Sequence, residues 1–196
     1  MTSTTPDLHE LARLVRRVDD RQQLAELISR YGMAVDDRDF DLIGRLFAPD
    51  GEFHGVKGRQ NVVDFYRART ATFTTSSHYA HTWHFDFQSD TQASGVVNAH
   101  AELCIDAKAV RIALRYLDRY VKGAQGWMFL SRALKFRYVL PFDEVADGLD
   151  RPLRVRWPGT EPQAADLPDK LQTYIASRKA GAAGSAPPPV ARDDAR

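Results

Sequence analysis

Residues Arg30 to Phe53, RYGMAVDDRDFDLIGRLFAPDGEF, decide how this chain is read. Up to Asp36 the apolar side chains Leu24, Leu27, Ile28, Tyr31 and Val35 recur at three- and four-residue steps, the spacing of one helix face. A short acidic turn follows. Asp39 is placed to cap a second helix, with Phe40, Ile43, Leu46 and Phe47 on its inner face. Ala48-Pro49-Asp50-Gly51 reads as the end of that helix and a turn, and Glu52 to Gly55 as a strand. Asp36 therefore stands where a helix stops. A carboxylate there can be half-buried at the mouth of a cavity.

Upstream, Leu8, Leu11, Leu14, Val15 and Val18 carry the same periodicity, so residues 7–36 are helical, with Asp19-Asp20 as the expected division into two helices. Downstream, GRQNVVDFYRARTATF (58–73) is a third amphipathic helix with Val62, Val63, Phe65, Tyr66 and Phe73 inside. From Ser77 the period changes to two. His78–Gln88, Ser94–Asp106, Val110–Lys122 and Trp127–Leu140 read as four strands joined by loops short enough for an antiparallel meander. The expected fold class is α+β: a strongly curved antiparallel sheet wrapped as a cone on the N-terminal helices, its open end forming a pocket. This domain spans residues 8–140. Residues 141–180, rich in proline, glycine and charge, form a C-terminal extension over the surface of the domain or of a neighbouring subunit, with a short helix at Pro168–Arg178. Residues 181–196 include Pro187-Pro188-Pro189 and no core-forming side chains, and are expected to be disordered.

Composition narrows the function classes. A net charge of +1 gives no electrostatic case for nucleic acid or an anionic membrane. No window has the length and apolarity of a membrane span, and the charged N-terminus lacks the apolar core of a signal peptide. Cys104 is the lone cysteine, which excludes an internal disulfide and fits a reducing compartment; it is expected to be buried in a strand. Together these point to a cytoplasmic globular protein.

Several motifs resemble those of a known family. Tyr31, Asp36, Asp39, Phe47 and Asp50 at their observed spacing, Ser77-His78-Tyr79 opening a long strand, and Arg115-Tyr116-x-Asp118-x-Tyr120 followed by Gly126-Trp127 and Arg132 are similar to the SnoaL-like branch of the nuclear transport factor 2 superfamily. The likeness runs over about residues 18–140. The superfamily contains dehydratases, a dehydrochlorinase, isomerases, polyketide cyclases and non-enzymatic members, so fold alone does not assign an activity. VDDR around Asp36 and SHYAHTW around His78 resemble the dehydratase and dehydrochlorinase members, in which the matching Asp and His remove a proton while a leaving group departs. That resemblance implies a catalytic pair Asp36 and His78, with Arg132 in the pocket. It departs from scytalone dehydratase at Val35 and at His54-Gly55, where tyrosines that hold a water would stand.

Taken alone, Asp36 reads as a helix-end carboxylate in solvent and His78 as a satisfied strand histidine; the resemblance turns both toward chemistry of which the residue types are capable. Imidazole titrates near physiological pH, and a carboxylate on one ring nitrogen fixes the tautomer and strengthens the other as a base. His54, His100 and Tyr31 are further candidate pocket residues. His78, His81 and His84 suggest a metal, but strict alternation puts His78 and His84 on one face and His81 on the other, so no metal and no cofactor is expected. Alternation also places Trp83, Phe85 and Phe87 opposite His78, as a pocket wall or a subunit interface. Arg115 and Asp118 face opposite sides and are read as structural. The expected function is a small cofactor-free lyase of the dehydratase type, acting on a hydrophobic cyclic, polyketide-like or steroid-like substrate, in a homo-oligomer (dimer or trimer). An isomerase or cyclase using the same pair, and a non-catalytic domain for binding a small ligand or for assembly, are the alternatives.

Overall fold

The computed structural model describes residues 7–183. The elements run α1 (Leu8–Asp36), α2 (Phe40–Leu46), β1 (Phe47–Phe53), β2 (Val56–Lys57), α3 (Arg59–Thr70), β3 (Phe73–Phe87), β4 (Gln92–Ile105), β5 (Lys108–Gly123), β6 (Gly126–Pro141), a single 3₁₀ turn, α4 (Val145–Gly148) and α5 (Gln172–Ala183). The strands form one curved, unclosed sheet of order β2-β1-β6-β5-β4-β3, antiparallel except for the parallel β1–β6 pair. The α+β class is as expected. The inner face of the sheet and the helices share a core in which Leu24, Ile43, Phe47, Val62, Val97, Val110 and Phe129 are fully buried.

The first helix does not divide at Asp19-Asp20. It runs unbroken from its Asp7 cap, because Asp20 is not a cap but a buried anchor. Its Oδ1 accepts from Lys122 Nζ at 2.6 Å and from Trp127 Nε1 at 2.8 Å, tying α1 to β5 and β6. Burial alone would raise the Asp20 pKa; those two donors and the lysine charge reverse the effect and hold it below the ordinary carboxylate value.

The end of α1 is built as the sequence predicts, by a device the sequence reading missed. Asp39 N–H bonds to Ala34 O at 2.9 Å and Arg38 N–H to Val35 O at 3.3 Å, a Schellman closure with Arg38, not glycine, in the left-handed conformation at φ 57°. The Arg38 guanidinium offsets that strain by donating to Asp36 O and to Phe73 O, which pins the helix end to the start of β3. Asp39 then caps α2 by accepting from Leu42 N–H at 2.8 Å.

Ala48 to Gly51 is strand, not turn. Chain direction is preserved by an irregularity in the β1–β6 register between Phe47 and Glu52, which absorbs Pro49. Gly51 is needed there, since a Cβ would lie 2.9 Å from Ala48 O and 3.1 Å from Phe129 O. The reversal comes later, at His54 (φ 46°) and Gly55 (φ 95°), the two-residue turn between β1 and β2. His54 is thus just past the strand rather than in it.

One insertion changes a face assignment. The β3–β4 register shifts between Ala80 and Thr82, leaving His81 as a bulge. Beyond it alternation is inverted, so Trp83, Phe85 and Phe87 lie on the same face as His78, paired with Val97, Gly95 and Ala93. Phe85 is core, edge-on to Tyr120, and no outer aromatic stripe forms from these three residues. Cys104 is half-buried rather than buried.

The extension packs on its own domain. Val155 bridges Val139 and Gln163, and Arg154 donates to Arg137 O, Leu167 O and Asp169. The C-terminal helix begins at Gln172, later than expected, and continues to Ala183. The expected disordered tail therefore overlaps that helix at 181–183; its remainder, 184–196, lies outside the described residues.

Replacing Asp20 with Ala removes the acceptor for Lys122 and Trp127. We expect a loss of about 1–3 kcal/mol in urea unfolding, the cost of leaving a buried donor unpaired.

Candidate active site

Asp36 is the last residue of α1 and His78 lies on the inner face of β3. The structure brings them into double contact. Asp36 Oδ2 accepts from the His78 backbone N–H at 2.7 Å, and Asp36 Oδ1 pairs with His78 Nδ1 at 2.6 Å. Both side chains are largely buried, with 22% and 16% exposure. Burial alone would raise the Asp36 pKa. The hydrogen bond and charge of His78 and its backbone N–H outweigh that, and the pKa falls below the ordinary carboxylate value. With Nδ1 donating to the carboxylate, the imidazole lone pair is on Nε2, which has no hydrogen-bond partner among the described residues.

His78 lines an apolar cavity of about 250 Å³. Val35, Phe65, Leu103, Ile112, Leu134 and Phe136 supply aliphatic and aromatic wall; Tyr31, Tyr66 and Tyr116 bring phenols. Tyr31 and Tyr66 hydroxyls meet at 2.5 Å. Burial pushes all three phenols up, so they are neutral hydroxyls at physiological pH. His54 lines the same cavity, its Nδ1 accepting weakly from Leu134 N–H at 3.4 Å. A second concavity of about 320 Å³ reaches the pair from its other side, lined by Asp36, His78, Tyr31, Tyr116 and Arg132. His78 thus lies between an apolar chamber and a more polar one.

Arg132 is the most deeply enclosed charge. Its Nε and Nη2 donate to Asp118 Oδ1 and Oδ2 at 2.9 and 2.8 Å, with both side chains at 0% exposure. Tyr120 adds a third donor to Asp118 at 2.7 Å. The guanidinium carbon lies 4.2, 4.1 and 4.1 Å from the ring centres of Tyr31, Tyr116 and Phe129. Burial works against its charge, but the adjacent carboxylate overcompensates and raises its pKa. Nη1 is buried with no partner among the described residues. Gly95 makes room for this arrangement on β4, since a Cβ would come within 2.9 Å of the Tyr120 ring.

His100 does not join the site. It pairs with Tyr79 on the outer face of the sheet, where its Nδ1 meets Nε2 of the bulged His81 at 2.8 Å. Burial, with the neighbouring His81 and Arg111, lowers its pKa. The bulge makes this a two-histidine contact; no group of three or more His, Cys, Asp or Glu side chains converges among the described residues. Several wall residues escaped the sequence reading, Arg69, Tyr116 and Trp157 among them. Tyr116 was legible only as part of a motif. Trp157, in the extension, carried no sequence signal, yet it lines the cavity and packs edge-on against Phe136 with ring centres 5.8 Å apart.

Comparison with known proteins places the chain in a family. Residues 16–133 match the SnoaL-like domain family, which is more than half of the chain, so the chain belongs to that family, within the nuclear transport factor 2-like superfamily. A hexachlorocyclohexane dehydrochlorinase, LinA-type3 from Novosphingobium barchaimii, superposes with a TM-score of 0.62 at 19% identity, over 67% of this chain and 95% of that one. A protein from Novosphingobium aromaticivorans, named as a candidate scytalone dehydratase, gives 0.62 at 19% identity over 66% and 91%. At such identities the likeness establishes the fold. The uncharacterized protein Rv2910c of Mycobacterium tuberculosis is 25% identical over 126 residues, 60% of this chain and 86% of the relative.

Two outcomes are expected. Asp118→Asn leaves the Arg132 charge uncompensated in the core and should cost about 3–5 kcal/mol in denaturant unfolding. Asp36 has a lowered pKa when folded, so its ionised form adds stability above the unfolded carboxylate value of about 3.9, and that contribution fades as pH falls through the lower folded value. The stability gap between wild type and Asp36→Asn should therefore be full near neutrality and close in acid, read from unfolding curves across pH.

Proposed function

We propose that this member of the SnoaL-like family is a cofactor-free lyase. In this reading His78 removes a proton from carbon and a leaving group departs from the neighbouring carbon. The single observation that supports it most is the Asp36 grip on His78 Nδ1, which leaves Nε2 as the base at the wall of an apolar cavity. The C–H electron pair becomes the new double bond, the proton goes to Nε2, and the leaving group takes the electrons of its own bond. A departing hydroxyl regains a proton from the imidazolium and leaves as water; a halogen leaves as halide. Asp36 acts as a positioning residue, holding the tautomer and balancing the imidazolium charge. Arg132 lines the second concavity with the pair rather than the apolar cavity, and from there its positive charge favours negative charge developing near His78. Its aromatic cage excludes water and strengthens that interaction.

Cavity size narrows the substrate. An engineered cavity of about 150 Å³ holds benzene, so about 250 Å³ suits one substituted ring or a small bicycle within the cavity. The names of the structural relatives fit this choice, being a dehydrochlorinase of a chlorinated cyclohexane and a candidate dehydratase. Isomerisation and ring closure draw on the same proton abstraction but release nothing, so the released water or halide separates elimination from them.

The test is turnover of a panel of small cyclic β-halo and β-hydroxy compounds, hexachlorocyclohexane isomers included, with products identified by mass spectrometry. His78→Ala should lower kcat about 10²- to 10⁴-fold while leaving the far-ultraviolet circular dichroism unchanged. Asp36→Asn should lower kcat with little change in KM and alter the pH profile. Full activity in His78→Ala would sink the mechanism, and tight ligand retention with no turnover by the wild type would favour a binding domain.

A further inference from the structure

Arg69 stands apart from the other enclosed arginines. Arg132 and Arg154 are matched to the carboxylates of Asp118 and Asp169. Arg38 donates to the backbone carbonyls of Asp36 and Phe73, and Arg59 to that of Phe47. Arg69, in the last turn of α3, lines the apolar cavity with neither kind of partner among the described residues. Its guanidinium carbon is 5.1 Å from the Phe73 ring centre and 4.9 Å from that of Trp157. Both rings line the same cavity, and Trp157 is fixed in turn by Phe136.

The arrangement has a chemical consequence. Stacking a guanidinium on ring faces holds its plane while leaving its N–H edge for an acceptor. No carboxylate is among the residues that line this cavity, and Arg69 is the one lining side chain with a permanent charge. Burial lowers its pKa, and no counter-ion among the described residues offsets this. An occupant that fills the apolar volume and brings one negative group would satisfy both demands. A single arginine in a chamber of about 250 Å³ suits a planar monoanion; a phosphate would call for more cations.

We propose that Arg69 is the anion-recognition residue of this cavity and that the substrate class is a small ring compound carrying a carboxylate. The proposal rests on reading the cavity as the substrate site. Trp157 belongs to this recognition element although it lies outside residues 16–133 matched by the family, so the carboxylate preference is a property of this chain and its extension.

Binding measured without turnover separates this proposal from the elimination mechanism. Cyclohexanecarboxylate and its neutral isostere cyclohexanecarboxamide are titrated by calorimetry at low ionic strength into wild type, His78→Ala, Arg69→Gln and Arg69→Lys. We expect the wild type and His78→Ala to prefer the carboxylate. Arg69→Gln should weaken carboxylate binding about 10- to 100-fold, the equivalent of one charge-assisted hydrogen bond, and leave the carboxamide unchanged. Arg69→Lys, which keeps the charge and loses the fork, should restore part of the preference. Equal binding of the two probes by the wild type, no binding of either, or an equal loss of both in Arg69→Gln would overturn the assignment. Loss of activity in His78→Ala with the carboxylate preference intact would leave it standing.

Discussion

One carboxylate joins the two halves of this fold at the place where chemistry is proposed. Asp36 spends both oxygens on a single residue, one on the His78 backbone N–H and one on its ring. The backbone bond fixes where β3 passes the end of α1; the ring bond fixes which way the imidazole faces. Position and tautomer are therefore set by the same group, and neither can drift without the other. The constraint depends on α1 stopping where it does, which is the work of Arg38 in its left-handed turn. A residue inserted earlier in α1 would carry the carboxylate about 100° around the helix axis and away from the strand.

The second organising element is a cation in the core. A buried ion pair is expensive to desolvate, and well-packed hydrophobic residues often replace one without loss. Here Arg132 is retained with two bonds to Asp118, three aromatic rings around it and one nitrogen unspent. Such an arrangement suits a role in charge stabilisation better than a role in packing. The same logic distinguishes Arg69 from Arg154: both are partly enclosed, and only Arg154 has been given a carboxylate.

The sequence was informative wherever a local rule governs. Helical spacing located the buried face of α1 from Leu24 to Val35, though Leu8, Leu11, Leu14, Val15 and Val18 are exposed and Phe47 and Phe73, expected on helices, open β1 and β3; Asp39 announced its cap, and alternation located β4, β5 and β6 to within about two residues at each end. Asp36 and His78 were legible only because spacing resembled a family pattern; nothing local separates Asp36 from Asp37. What escaped was set by tertiary context. Asp20 looked like a helix break because its partners, Lys122 and Trp127, are a hundred residues away in sequence. His100 was drawn toward the pocket but lies on the outer face, and Trp83, Phe85 and Phe87 were assigned to the face opposite His78 but share its face; that inversion rests on one bulged residue, His81, which alternation cannot foresee. Arg38 in a conformation that favours glycine gave no warning either.

The extension crosses β6 and lays Trp157 against the cavity while the acid–base pair sits on α1 and β3. In the proposed function the acid–base pair and the surroundings of the guest are carried by different stretches of chain, α1 and β3 for the one, α3 and the extension for the other. The segment after Pro141 can then be remodelled around a new guest without touching Asp36 or His78.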